Sequence, residues 1–265
     1  MHPMLNIAVR AARAAGNYIA KSYEALDLVE AESKGTNDLV TNVDREAERL
    51  IIETIRRSYP DHSFVGEEGG VQGDSDHQWV IDPLDGTSNF VRGIPHFAVS
   101  LALRVKGRTE QAVIYDPIRA ELFTASRGAG AQLNGKRIRV APARDLNGTI
   151  LATGFPFKQK HMLEPYLGMF QALFNEAADV RRAGSAALDL AYVAAGRMDG
   201  FWEMGLKPWD TTAGDLLVRE AGGIVCDFTG GHNHLSSGNI VAASPRVMPL
   251  MLGKMKPHLT ESLSR

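Results

Sequence analysis

The sequence predicts an α+β protein built in layers, on three observations: two amphipathic helices open the chain, alternating strands follow, and strands and helices then interleave. Hydrophobic content of 44% with 23% charged residues is that of a compact chain, and 265 residues can bury a sizeable core. Residues 1–265 are read as a single domain with no internal repeat. The candidate sub-domain boundary lies at 141–147, where Pro and polar residues separate two halves.

Leu5, Ala8, Ala12, Ala15 and Ile19 recur at helical spacing and predict the first helix. Arg10, Arg13, Asn17 and Lys21 break up what a secretory signal would keep apolar, and no stretch reads as a membrane span. A second helix is expected over 43–58, since Ala47, Leu50, Ile51, Thr54 and Ile55 make a face and Tyr59-Pro60-Asp61 stops it. The alternation of Phe97, Val99, Leu101, Leu103 and Val105 with smaller or polar residues predicts a half-buried strand. Further strands are expected at 112–115, 121–125 and 138–140, with turns at Asp116-Pro117 and Asn134-Gly135. Beyond Thr149 the chain reads as a strand to Ala152, a helix over 162–174, a strand near Val180 and a helix over 185–195. Strands at 198–203, 224–227 and 239–242 follow, with a helix over 210–221 ending at Gly222-Gly223.

A formal net charge of −2 gives no global attraction to nucleic acid or an anionic membrane, so a polyanion must be recognised locally. Lys136, Arg137 and Arg139 flank a turn and read as a solvated hairpin, which does not support direct nucleic-acid binding. Cys226 is the only cysteine, so no intrachain disulfide can form, and a cytoplasmic setting is expected. It reads as a small buried apolar residue.

The chemistry concentrates in Trp79-Val80-Ile81-Asp82-Pro83-Leu84-Asp85-Gly86-Thr87, where an apolar strand runs into two carboxylates. Pro83 fixes its own φ and restricts Asp82, so both carboxylates can face one side of the turn. Oxygen ligands without Cys or His favour a hard ion such as Mg²⁺. Gly86 and Thr87 sit where the turn enters a short helix, whose backbone N–H groups can receive an anion such as phosphate. Alone, Asp82 and Asp85 would read as a capped turn. Gly66-Glu67-Glu68-Gly69-Gly70 adds acids in a glycine-flanked loop that packing does not require. Trp209-Asp210 adds another at a helix start, where Asp210 alone would read as an N-cap. Four carboxylates gathered without cations would repel, so convergence requires metals or raised pKa values. The stretch 34–44 is polar and turn-rich and reads as a loop with a cap, with Asp44 near the start of the second helix.

With these motifs in their order and approximate spacing, nearly end to end, the chain resembles the inositol monophosphatase family, most closely its bacterial SuhB-type members. The resemblance implies an αβαβα five-layered sandwich, a homodimer, lithium inhibition and two to three Mg²⁺ per active site. It implies that Glu67, Asp82 and the Leu84 carbonyl hold one ion, that Asp82, Asp85 and Asp210 hold a second, and that a third leans on Glu67. It casts Thr87, hydrogen-bonded to Asp44, as the partner of Glu67 in orienting a water for in-line attack on phosphorus, while Gly86 and Thr87 N–H groups hold phosphate oxygens. It also implies substrate contacts at Gly184, Ser185, Ala186 and Glu203, with Arg181 nearby. On residues alone, Glu203 reads equally as a solvated strand-end acid. Thr212 departs from the small Ala common after Trp-Asp-x.

The substrate implied is inositol 1-phosphate or a related small polyol phosphate monoester. A 3'-nucleotide bisphosphatase or fructose-1,6-bisphosphatase would use the same metal core, but the chain is short and Glu203 suits hydroxyls better than a second phosphate. A role of another class is also implied, as a ribosomal RNA transcription antitermination factor acting through RNA polymerase and antitermination partners.

Overall fold

A computed structural model describes residues 2–35 and 38–263. The helices are α1 (Pro3–Tyr23), α2 (Asn42–Arg56), α3 (Thr87–Val91), α4 (Leu163–Phe174), α5 (Ala186–Ala194), α6 (Pro208–Glu220), α7 (His234–Ser237) and α8 (Met248–Met255). The strands in the first half are β1 (Ala31–Gly35), β2 (Asp38–Thr41), β3 (Ser63–Gly66), β4 (Gly70–Gln72), β5 (His77–Asp85), β6 (Ala98–Val105), β7 (Arg108–Asp116), β8 (Glu121–Ser126), β9 (Gly130–Leu133) and β10 (Lys136–Arg137). Those in the second half are β11 (Ile150–Thr153), β12 (Asp179–Arg181), β13 (Gly200–Glu203), β14 (Ile224–Cys226) and β15 (Ile240–Ala243).

β1 and β2 form an antiparallel pair, while the other strands make two sheets. One has eight strands in the order β10-β9-β8-β7-β6-β5-β3-β4, and the other five in the order β12-β11-β13-β15-β14. Both are mixed: β3 runs parallel to β5, and β11 runs parallel to both β12 and β13. Side-chain alternation along the strands then determines the layers. Trp79, Ile81, Val99, Leu101 and Val113 of the large sheet face Leu5, Ala12, Ile19, Ile51 and Ile55 of α1 and α2. Val80, Ala98, Ala102, Ala112 and Ala125 face the opposite way, onto Leu190, Leu216 and Leu217 of α5 and α6, which also cover Ala152, Phe201 and Ala242 of the small sheet. The far side of the small sheet, with Leu151, Trp202 and Val241, packs on Tyr166 and Met169 of α4 and on Met251 and Met255 of α8. The result is the αβαβα sandwich of five layers.

Several local expectations need correction. The strand 97–105 is not half-buried, because the small residues that look like a solvent face pack under α5 and α6, and residues 98–103 are all buried. Residues 138–140 are not a strand. Asn134 and Gly135 take φ of 49° and 78°, a two-residue hairpin turn that starts the return strand at once, so β10 occupies 136–137. The Ile138 N–H still donates to the Ala131 carbonyl of β9 at 3.0 Å, but the chain then leaves the sheet, and the Val140 N–H donates to the Ala221 carbonyl at the end of α6. The loop expected at 34–44 carries β2, and the N-cap of α2 is Thr41. Thr36 and Asn37, within that loop, lie outside the described residues. Among the described residues no helix is long and apolar enough to cross a membrane. Cys226 is buried as expected, its Sγ 3.4 Å from the Met248 sulfur.

Candidate active site

β5 brings its two aspartates to the site through an irregularity. It pairs with β6 in register from His77 to Asp82, which lies opposite Ser100, but Asp85 then lies opposite Ala98, so three steps on β5 match two on β6. Such a bulge bends a strand and re-aims its side chains, and Pro83, with no N–H to donate, fits there. Asp82 Oδ1 accepts the Leu84 N–H at 3.0 Å. Gly86 follows at φ 101°, where a Cβ would also meet the His96 carbonyl at 3.0 Å, so only glycine closes this turn without strain. α3 begins at the next residue and is anchored by Phe90, which is fully buried.

Parallel pairing of β3 with β5 sets Gly66 opposite Ile81, and the Glu67 N–H donates to the Ile81 carbonyl at 3.1 Å. Glu67 therefore emerges beside Asp82. Asp210 arrives from the opposite layer on α6. It is not the N-cap, because the helix starts at Pro208 and Asp210 is its third residue, where the carboxylate accepts the Lys207 N–H at 2.7 Å. Ser100 of β6 donates to the Trp209 carbonyl at 3.3 Å and Arg104 donates to the Thr212 hydroxyl at 2.8 Å, which hold this helix end on the sheet. Thr212 itself donates to the Pro208 carbonyl, so the departure at this position is satisfied locally.

α5 meets Asp85 with its N-terminus. Asp85 Oδ2 accepts the Ser185 hydroxyl and the Ala187 N–H, each at 2.7 Å, and Ser185 Oγ accepts the Leu188 N–H at 3.3 Å as the helix cap. The Ser185 proton is therefore committed to Asp85. Gly184 and Ala186 flank it along the cleft wall. Glu203 ends β13 next to the end of β11, and its carboxylate lies over Gly154. Behind the cleft, Asp44 Oδ1 accepts from the Thr87 hydroxyl at 2.9 Å, while Asp44 Oδ2 accepts the Thr41 N–H at 2.9 Å and the Thr41 hydroxyl.

Glu67, Asp82, Leu84, Asp85, Gly86, Thr87, Gly184, Ser185, Ala186, Glu203 and Asp210 thus line one cleft. Arg181 does not join them. Arg181 closes β12 and pairs with Asp179 two residues back on the same strand face, while Arg182, just past the strand, lines the cleft with its guanidinium over the rings of Phe155 and Phe157. The sequence reading also passed over Lys158 and Asp189, which line the same cleft. Asp189 had a signal: it is the one charged residue in an otherwise apolar α5, and it is 1% exposed with Oδ1 lacking a hydrogen-bond partner.

Burial dominates the electrostatics. It pushes the Asp82 carboxyl well above the usual carboxylate range, and the negative charge of Glu67, Asp85 and Asp210 adds to it. Asp85 is pushed up to about 6 by burial, against the Ser185 and Ala187 hydrogen bonds, and Asp210 to about 7 by burial and then by Asp85. Glu203 and Asp189 are raised well above their ordinary values, again chiefly by burial, and Asp189 contributes to the shift at Glu203. Such a cluster seeks either protons or cations. Its donors are oxygens only, four carboxylates and the Leu84 carbonyl, a set that fits a hard dication. Among the described residues no three such side chains are already drawn together as a metal cage, so the fit is one of donor chemistry.

The model of the inositol monophosphatase family matches residues 1–261. The chain belongs to the inositol monophosphatase family. It is 67% identical over 267 residues to the Nus factor SuhB of Escherichia coli K12, covering 100% of both chains. The crystal structure of the extragenic suppressor protein suhB from Bartonella henselae superposes with a TM-score of 0.95 at 42% identity, covering 97% of this chain and 100% of that one. The Thermotoga maritima IMPase gives a TM-score of 0.90 at 34% identity, with 98% and 100% covered. The cleft therefore sits in a phosphatase-family protein, on that family's fold.

Proposed function

We propose that this chain is a Mg²⁺-dependent phosphatase for small polyol phosphate monoesters, inositol 1-phosphate first among them. The observation that carries the reading is the meeting of Glu67, Asp82, Asp85 and Asp210 in one cleft, with Asp82 1% exposed and its charge opposed by its own neighbours. Glu67, Asp82 and the Leu84 carbonyl would hold one ion and Asp82, Asp85 and Asp210 a second, with a third leaning on Glu67. Bound dications would neutralise the phosphate and the leaving alkoxide and lower the pKa of an attacking water.

The remaining work falls to the chain itself. The Thr87 hydroxyl has one proton and two acceptors within reach, Asp44 Oδ1 at 2.9 Å and the Leu84 carbonyl at 3.0 Å. Were the Leu84 carbonyl to serve a cation, the Thr87 proton would go to Asp44, which would leave a Thr87 lone pair to accept from water. Glu67, which lines the same cleft, would be the second acceptor, and together they would aim the water at phosphorus. The backbone of Gly86 and Thr87, at the start of α3, holds phosphate oxygens. Ser185 keeps Asp85 oriented rather than touching substrate, and Glu203 accepts hydroxyls of the polyol. Gly184 and Ala186 complete the wall beside it.

Phosphate release with and without Mg²⁺ tests this on inositol 1-phosphate, glycerol 2-phosphate, fructose 1,6-bisphosphate and a 3'-phosphorylated nucleotide. Mg²⁺-dependent release from the first two is expected, inhibited by lithium. Rapid clearance of the bisphosphates with the monoesters ignored would assign the site to one of the bisphosphatase activities.

The expected homodimer has support in an exposed apolar stripe on α4. Leu163, Leu167 and Phe174 are 45%, 48% and 51% exposed, and Phe155 and Phe157 lie exposed as well. Leu167→Glu should shift sedimentation from dimer to monomer. A second reading draws on the name of the E. coli relative, a Nus factor: the chain would also work through transcription partners such as RNA polymerase. RNA polymerase or antitermination factors captured equally by wild type and Asp85→Asn would support a role separate from hydrolysis.

A further inference from the structure

α2 carries a second buried carboxylate one turn beyond Asp44. Glu48 is 4% exposed, and at i+4 it lies on the same face of the helix as Asp44. Its Oε1 accepts the Gly69 N–H at 2.7 Å and its Oε2 accepts the Glu68 N–H at 3.1 Å. Both donors belong to the turn that carries Glu67. The fit is tight from the other side as well: a Cβ on Gly66 would fall 2.2 Å from Glu48 Oε2, and one on Gly69 would fall 2.6 Å from Oε1. Neither glycine has the positive φ that would call for glycine by itself. Their lack of a side chain makes room for this carboxylate.

The turn needs such a support. On its inner side it is tied to β5 by the Glu67 N–H, but on its outer side it leads into β4, a three-residue edge strand with exposed residues. We propose that Glu48 is the positioning residue for Glu67, clamping the backbone of the turn while Asp44 holds Thr87 from the same helix face. The two groups that aim the water are then spaced by one rigid element, since Asp44 and Glu48 are separated by roughly 6 Å of helix rise. This inference rests on the role proposed for Glu67 above.

The test uses the full-length protein. Glu48→Gln keeps the size but places an amide NH₂ against one of two N–H donors, so one bond of the clamp must open. Gly69→Ala attacks the same contact from the turn. Its other close neighbour, the Gln72 amide 2.6 Å away, is a chain end that can swing aside. Each variant should weaken calorimetric Mg²⁺ uptake and lower kcat by about tenfold, with substrate KM at saturating Mg²⁺ within about twofold of wild type. In a Glu67→Gln background, adding Glu48→Gln should change Mg²⁺ affinity no further, because a residue acting through Glu67 has nothing left to position. Wild-type kinetics in both single variants, or losses that multiply in the Glu67→Gln background, would overturn the inference alone. A wild-type protein that neither releases phosphate nor takes up Mg²⁺ would overturn the proposed function, and this inference with it.

Discussion

The carboxylate of Glu203 rests on the α-carbon of Gly154, where a Cβ would fall 2.0 Å from Glu203 Oε1. β11 and β13 are neighbours, and each ends at this point, so the two residues meet at the cleft floor. Gly154 is thus part of how Glu203 is aimed.

Gly154→Ala should push Glu203 out of place without touching the acids around Asp82. Losing one charge-assisted hydrogen bond to a hydroxyl is worth about 1.5–3 kcal/mol, roughly a ten- to hundredfold fall in kcat/KM for inositol 1-phosphate. An aryl phosphate lacking hydroxyls should be cleaved as by wild type. Equal losses on both substrates would remove Glu203 from polyol recognition.

Asp82→Asn keeps the shape of the strand end and the bond to the Leu84 N–H. A neutral amide cannot serve two dications, so turnover should fall by about 10³-fold or more and Mg²⁺ uptake should weaken in calorimetry. The folded state should not suffer, since the substitution removes a buried charge among like charges. Retained hydrolysis would contradict the ligand assignment.

Thr87→Ala removes the hydroxyl between Asp44 and the cleft. Steady-state kinetics should show kcat lowered by about 10²-fold with KM little changed, because water orientation matters more in the transition state than in substrate binding. Asp44→Ala should act in the same direction and also loosen the start of α2, where Asp44 accepts the Thr41 N–H of the capping box. An unchanged kcat in Thr87→Ala would take that residue out of the mechanism.

Cys226 predicts a pH effect on stability. Burial, and then the neighbouring Asp227, push its thiol up from 9.0 to about 11. The folded state therefore keeps the proton when the unfolded chain has lost it. The contribution is fully present below pH 9 and is lost as pH rises from 9 through about 11, on the order of 2 kcal/mol in all. Urea midpoints measured from pH 8 to 10.5 should fall more steeply for wild type than for Cys226→Ala. Parallel slopes would show that another group governs the alkaline limit.

Much of the architecture was legible because hydrophobic period reports a local environment. Leu5, Ala8, Ala12, Ala15 and Ile19 announced α1, and all are buried against the large sheet. The same signal misled at Ala98, Ser100 and Ala102, since a small residue beside a large one looks alike whether it faces water or a close-packed helix. Position 138–140 failed for another reason: its β-branched residues carry strand propensity, but after one last bond from the Ile138 N–H to the Ala131 carbonyl of β9 the chain turns to the end of α6, where Val140 donates to Ala221. The acids of the cleft stood out because nothing in packing required them. Arg181 and Arg182 could not be told apart, as the residue at which β12 ends decides which of two adjacent arginines enters the cleft.

The amino-acid sequence alone determined the layered α+β class and the set of acids available for a hard cation, because residue type and spacing act over a few neighbours; the turn expected at Asp82-Pro83-Leu84-Asp85 is instead a bulge within β5, with the turn itself at Gly86. Only the tertiary structure decided that Ser185 serves Asp85, that Glu48 clamps the turn of Glu67 and that Glu203 lies on Gly154. These contacts join residues 20 to 100 positions apart in the chain, and such distances are closed by sheet pairing and helix packing, which no local pattern encodes.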